Sequence, residues 1–282
     1  MKRSVDLLPL IVVLIGFSVF AGIWALRPPI SASPPVEILD RVVVSAPVQL
    51  MMTGGDRFLA ANIESIRAVA TTSDNPSAAE ANASFVIRAR RVVAQLNPCH
   101  EDNYYLGNAL LTWGGAVAEG GDLLKQATDC RTWDELPPFF YGFNQYFFLR
   151  DIQGAREYLE IAADRSTDNA ASFRKFAIMI TAGELKDDEA LNFLQREREQ
   201  TNDARLRGML DQRITRLEGL LTLRTAQQRY EARFGRPLTN PYALIESGEL
   251  EAFPNDPLRI GYEFANGHFR LTELKIAGLE RP

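Results

Sequence analysis

Few side chains in this chain are of types that do chemistry, and most of them stand apart. There are two cysteines and two histidines. The densest group is Cys99-His100-Glu101-Asp102, which on paper resembles a set of metal ligands. Four consecutive side chains at a helix start diverge, however, and no second His or Cys lies nearby. Haem attachment would require Cys-x-x-Cys-His. Glu101 and Asp102 read instead as first-turn acids facing the positive end of a helix dipole. His268 stands alone near the C-terminus. The chain contains no Gly-x-Ser-x-Gly, His-Glu-x-x-His or Gly-x-x-x-x-Gly-Lys, so the expectation is a protein that is not an enzyme, with no cofactor and no metal site. Asp256, between Pro254 and Pro257, reads as a turn former. Asp187, Asp188 and Glu189 read as a solvated helix start. A net charge of −5 gives no basic footprint, and nucleic acid is not an expected partner.

Contact chemistry is what remains. The stretch Leu136–Asp151 packs Phe139, Phe140, Tyr141, Phe143, Tyr146, Phe147 and Phe148 into the length of one short helix. On a 3.6-residue repeat these rings fall on several faces, and a helix apolar nearly all round must be covered nearly all round. The stretch therefore belongs in the middle of a stack of helices. Packing accounts for most of its rings. The stripe Phe139, Phe143 and Tyr146, placed on the inner face of the stack, is the candidate partner-binding surface. Asn144 lies among the rings, where a buried amide must be hydrogen-bonded, and a tie to neighbouring backbone is the expectation.

The elements that position these residues are mostly helical. Phe58, Leu59, Ile63, Ile66 and Val69 mark a helix over Asp56–Ala70, and a second runs over Ala78–Leu96. Three further pairs follow: Tyr104–Trp113 with Ala116–Cys130, Pro138–Leu149 with Ile152–Ala163, and Ala171–Ala182 with Lys186–Glu199. Val36–Met52 reads as a strand or a packing arm. A long amphipathic helix over Thr201–Arg236, with Leu206, Leu210, Ile214, Leu217 and Leu221 in register, would cap the stack, and Gly235 and Pro237 stop it. The tail holds a short helix near Tyr242–Gly248, then two alternating segments, Ile260–Phe264 and His268–Leu271, around Asn266-Gly267. In this pairing Cys99 precedes the first helix of its unit and Cys130 ends the second. Antiparallel helices bring both to one end, so the cysteines form a disulfide closing the hairpin or remain two separate buried thiols.

Leu7–Leu26 is a run of 20 residues without a charge, about 30 Å as a helix and the thickness of a bilayer core. Lys2 and Arg3 precede it and Arg27 follows. The positive-inside bias predicts an uncleaved single-pass anchor in a bacterial inner membrane, with a cytoplasmic N-terminus and a periplasmic C-terminal domain. The rival is a cleaved signal peptide ending near Ser31-Ala-Ser33. Arg27–Pro35 reads as a Pro-rich spacer.

Gly120 or Gly121, Ala155 and Ala190 stand where paired helices would cross, 34 or 35 and then 35 residues apart. Leu106-Gly107 and Tyr141-Gly142 repeat at 35. This pattern, best in Asp151–Ala162, resembles the tetratricopeptide repeat, whose period is 34. The order Gly-Arg-Pro, Pro-x-Asp-Pro, Gly-Tyr, Asn-Gly over Tyr230–Leu271 is similar to the C-terminal part of type II secretion pseudopilins, where the region around Asp256 is associated with calcium; matching acids are not identifiable here. The fold class expected is mainly α, a helical-hairpin solenoid with a small helix-plus-hairpin tail. The units are an anchor (1–27), a linker and arm (28–54), repeats (55–200), a capping helix (201–236) and a tail (237–282). The chain from about Asp56 resembles membrane-anchored bacterial tetratricopeptide-like proteins. The function expected is a periplasmic scaffold or adaptor, with other envelope or membrane proteins as partners and the cytoplasmic membrane held through residues 7–26. The alternative is a periplasmic small-molecule or metal binding module or accessory enzyme subunit.

Overall fold

Asp56, Asp151 and Asp203 cap the starts of three helices, and Gly183 and Gly235 stand at the ends of two. The structure, a computed structural model, describes residues 7–25, 42–70 and 79–272, with side chains for 12–22, 42–70 and 83–272. Lys2, Arg3, Arg27, the Pro-rich spacer, the Ser31–Ser33 cleavage site and the polar turn expected over Thr71–Ser77 lie outside the described residues. Within them the fold is mainly helical, with one small antiparallel sheet near the C-terminus.

The first helix, α1, covers Leu7–Ala25. Among the described residues no helix is long and apolar enough to cross a membrane. The expected single-pass anchor at residues 7–26 is thereby corrected. The inner-membrane location, the cytoplasmic N-terminus and the periplasmic domain deduced from it are corrected too.

The arm that read as strand or packing segment contains a short helix, α2 (Ala46–Met52). Then come α3 (Arg57–Ala70) and α4 (Ala79–Leu96). Helix α5 (Glu101–Gly107) runs on as a π-helical turn, Asn108–Thr112, before α6 (Val117–Cys130). Helix α7 (Leu136–Asn144) likewise continues as a π-helical turn, Gln145–Leu149. The remainder are α8 (Ile152–Arg165), α9 (Ala170–Ala182), α10 (Asp187–Gln200), α11 (Ala204–Phe234) and α12 (Ala243–Glu246). Side-chain caps fix several starts. Asp56 accepts the N–H groups of Phe58 and Leu59, both at 3.0 Å. Asp151 accepts that of Gly154 at 2.9 Å, and Asp203 those of Arg205 and Leu206.

From α3 onward each helix packs chiefly on its neighbours in sequence, with α9 touching both α10 and α11. The closest approach lies at glycine. A Cβ on Gly142 of α7 would stand 2.9 Å from the carbonyl oxygen of Ala155 and 3.2 Å from Leu159 Cγ, both in α8. The neighbour is backbone and cannot swing away. Gly142→Ala should therefore cost about 1–3 kcal/mol, the range for overpacking a close interface. Gly121→Ala is the control. Its Cβ would meet Tyr141 Cε2 at an ordinary 3.6 Å, and the helix gains roughly 0.5–1 kcal/mol from losing a glycine. Urea denaturation of the two variants should move in opposite directions.

At the far end, α11 runs 31 residues, about 46 Å. Its Leu206, Leu210, Ile214, Leu217, Leu220 and Leu223 bury against α9, α10 and the tail. The stripe turns from the expected Leu221, which is only half-buried, to Leu220. The tail ends in β1 (Tyr262–Ala265) paired antiparallel with β2 (His268–Leu271), Ala265 opposite His268. The two linking residues, Asn266 and Gly267, have φ of 54° and 77°, as a tight twisted hairpin turn requires.

Candidate functional site

The aromatic stretch does assemble at the middle of the stack. Phe139 stacks on Phe173 of α9 at 4.9 Å between ring centroids and lies 6.4 Å from Phe143. Phe143 reaches Phe176 at 6.0 Å, and Tyr146 meets the same ring edge-on at 5.7 Å. The three expected surface residues, Phe139, Phe143 and Tyr146, are thus brought together, but against α9, and all are half-buried. A ring not singled out from the sequence completes the group. Trp113, 45% exposed, lies 6.3 Å from Phe143, 5.4 Å from Phe147 and 5.2 Å from Phe148. The two π-helical turns bring these rings together, because one extra residue per turn shifts the face each helix presents. Beneath them, the Asn144 side-chain amide donates to Asn108 Oδ1 at 2.8 Å, and both residues are buried. The expected backbone tie is instead a side-chain pair between successive hairpins.

The cysteines are joined: Cys99 and Cys130 form a disulfide with Cα atoms 5.3 Å apart, closing the α5–α6 hairpin at one end. A polar lock surrounds it. Arg131 donates to the Cys99 carbonyl (3.1 Å), to Asp134 (2.8 Å) and to Glu101 (3.1 Å). The Tyr104 hydroxyl donates to Asp134 at 2.8 Å. Burial pushes the Tyr104 phenol pKa well up, and the bond to Asp134 adds to the rise. Burial would raise the Asp134 carboxyl, but the Leu136 N–H, Arg131 and Tyr104 outweigh it and hold it below the usual range. His100 caps α5, its Nδ1 accepting the Asn103 N–H at 3.3 Å. Burial holds its imidazole below the ordinary value, with Asp102 opposing. Cys99, His100 and Glu101 are each engaged in holding the hairpin. Among the described residues no cluster of His, Cys, Asp and Glu could hold a metal ion. At Asp256 the carboxylate is taken up by three backbone N–H groups and Arg216.

The least expected surface is on α2 and α3. The sequence places Phe58, Leu59, Ile63, Ile66 and Val69 on a helix, and the structure turns all five outward. What α3 buries is Ala60, Ala61, Glu64, Ser65 and Ala68. Glu64 is anchored inside by Gln49 at 2.9 Å and by Arg67 at 2.6 Å, and Ser65 accepts from the buried Arg90 at 3.2 Å. Small side chains let α3 approach α4 closely, and the polar pair is satisfied within, so the large apolar groups are left outside. Ile66 is 70% exposed, and on the adjoining α2 Met51 and Met52 are 73% and 76% exposed.

Comparison of this chain with protein-family models, with curated proteins and with solved structures finds no match.

Proposed function

We propose that this chain is a protein–protein adaptor built from tetratricopeptide-like helical hairpins, closed at one end by a long helix and a tail that resembles the pseudopilin C-terminal part. The repeat reading is supported by the close approach of Gly142 to Ala155 and Leu159, where the 35-residue spacing puts small residues. One observation carries the adaptor reading. The α2–α3 unit presents Phe58, Leu59, Ile63, Ile66 and Val69 of α3, and Met51 and Met52 of α2, to solvent, while Glu64 and Gln49 face inward. Large exposed apolar side chains concentrated on one unit mark a surface that a partner covers.

A photo-activatable phenylalanine analogue in place of Ile66 tests this in cells. It should give a discrete adduct to a different polypeptide, and Ile63→Asp on the same face should remove that adduct. The same analogue at the exposed Gln228 of α11 should give none. Adducts at both positions, at neither, or only to a second copy of this chain would sink the adaptor reading.

A further inference from the structure

The sheet of the tail consists of β1 and β2 alone, so each strand has one edge that the other does not cover. In an antiparallel ladder the opposed residues alternate between pairs that exchange hydrogen bonds and pairs that do not. Ala265 opposite His268 closes the hairpin turn, and the Thr272 N–H donates to the Gly261 carbonyl at 3.4 Å. These two pairs fix the phase. Gly261, Glu263 and Ala265 bond inward to β2, and the main-chain N–H and C=O groups of Tyr262 and Phe264 point away from it. The outer edge of β2 is met by α11, where Arg224 donates to the Phe269 carbonyl at 3.0 Å and Gln227 to that of Gly267 at 2.7 Å. The outer edge of β1 has no counterpart. Among the described residues the main-chain groups of Tyr262 and Phe264 make no hydrogen bond. Edges are commonly blunted by lysine, proline or a bulge. β1 carries none of these, and its register with β2 runs unbroken.

The edge is held in place before anything meets it. Asp256 accepts the N–H groups of Leu258, Ile260 and Gly261 just before the strand, and the Tyr262 hydroxyl donates to the Arg216 carbonyl at 3.1 Å. A strand added here loses only its own freedom. The two faces of β1 differ. Tyr262 and Phe264 pack partly buried on the α11 core, with Phe264 4.9 Å from Phe269. Glu263 lies on the opposite face, its side chain 43% exposed and paired across the strands with Arg270 at 2.9 Å. An added strand is therefore best matched by apolar side chains beside Tyr262 and Phe264 and a basic one beside Glu263, which would set that acid between two cations across the sheet.

We propose that β1 accepts, as a third antiparallel strand, an extended segment of a partner protein in which a basic residue stands between two apolar ones. This is a second contact surface, separate from the α2–α3 face of the adaptor reading. The two fail separately, since adducts at Ile66 report that face and peptide binding reports this edge.

The test is fluorescence anisotropy with the labelled peptide Thr-Val-Lys-Val-Lys-Val-Thr, titrated with the full chain. In antiparallel addition the residues opposite Tyr262 and Phe264 turn their N–H groups to β1, and these are the valines. N-methylation of the valines should weaken binding about tenfold or more, and N-methylation of the lysines should leave it unchanged. Both peptides read the native chain, so the folding of a variant does not enter that comparison. Glu263→Lys should bind the peptide several-fold more weakly and should prefer a counterpart with glutamate in place of lysine. Failure of the native chain to bind, loss of binding on methylating the lysines, retention on methylating the valines, or an unaltered charge preference in Glu263→Lys would each overturn the proposal. A dimer of the native chain that Glu263→Lys dissociates would overturn it as well, by giving the edge to a second copy.

Discussion

Asp256→Ala should release the tail from α11 at a cost of about 3–5 kcal/mol, the range for breaking a buried ion pair by removing one partner. Asp256 and Arg216 are 7% and 6% exposed. Arg216 Nε donates to the carboxylate at 3.2 Å, while its Nη2 donates to the carbonyls of Gly261 (3.2 Å) and Thr272 (2.8 Å). The same carboxylate accepts the N–H groups of Leu258, Ile260 and Gly261 at 3.0, 3.0 and 2.6 Å. Removing it strands a buried guanidinium and three backbone donors together, so the cost exceeds that of one hydrogen bond. The Tyr262 hydroxyl, which donates to the Arg216 carbonyl at 3.1 Å and fills the space beside Gly219, would lose its seat as well.

The pH dependence has a definite sign. Burial would raise the Asp256 pKa, but the N–H groups of Gly261 and Leu258, the Arg216 charge and the Ile260 N–H together hold it below the usual carboxylate range. The stabilisation is therefore full above the unfolded value of about 3.9 and is lost as pH falls through the folded value. Urea denaturation of the native chain and the variant, at neutral pH and in steps below about pH 4, checks both parts. A neutral-pH loss under about 1 kcal/mol would place the tail's attachment in its apolar residues, because one ordinary hydrogen bond contributes about that much.

The order of helices was legible because capping aspartates and stop glycines act locally, and a local signal survives without tertiary context. The Asn266-Gly267 turn is the same kind of case: two positive φ angles leave few residue types able to serve, and these two name the hairpin. The disulfide was legible at one remove, since pairing α5 with α6 fixes which chain ends meet. Burial on α3 was not. Periodicity says that Phe58, Leu59, Ile63, Ile66 and Val69 occupy one helix, and it is silent on whether a neighbour covers them. The signal available was the complementary stripe Ala60, Ala61, Ser65 and Ala68, small enough for close approach to α4, with Glu64 paired to Arg67 within one turn. The π-helical turns were also hidden. They arise where α5 and α7 run on while keeping Asn108 and Asn144 in contact, a constraint spread over 36 residues. Asp256 was half legible, since a proline-flanked aspartate forms a turn wherever it occurs, but its ion pair with Arg216 spans 40 residues.

Opening the Cys99–Cys130 bridge, by reductant or by replacing both cysteines with serine, should lower stability by about 3–4 kcal/mol. The figure follows from the 31-residue separation through the chain-entropy model, in which the bond restricts the unfolded chain more than it holds the folded one. The folded hairpin has independent support for that view. Arg131 ties the two ends through the Cys99 carbonyl, Glu101 and Asp134, and Arg165 of α8 donates to the carbonyls of Thr128, Arg131 and Asp134 at 3.0, 3.1 and 3.2 Å. The native helices should therefore persist after reduction at low denaturant, with the loss appearing as a lower urea midpoint. The circular-dichroism signal before the transition should stay unchanged. A separate early transition confined to reduced protein would mean that the bond holds α5 against α6 directly. The Arg131 cluster would then be only its consequence. Because thiols remain reduced in the presence of cellular glutathione, the same measurement says how much of this hairpin's stability depends on an oxidising compartment.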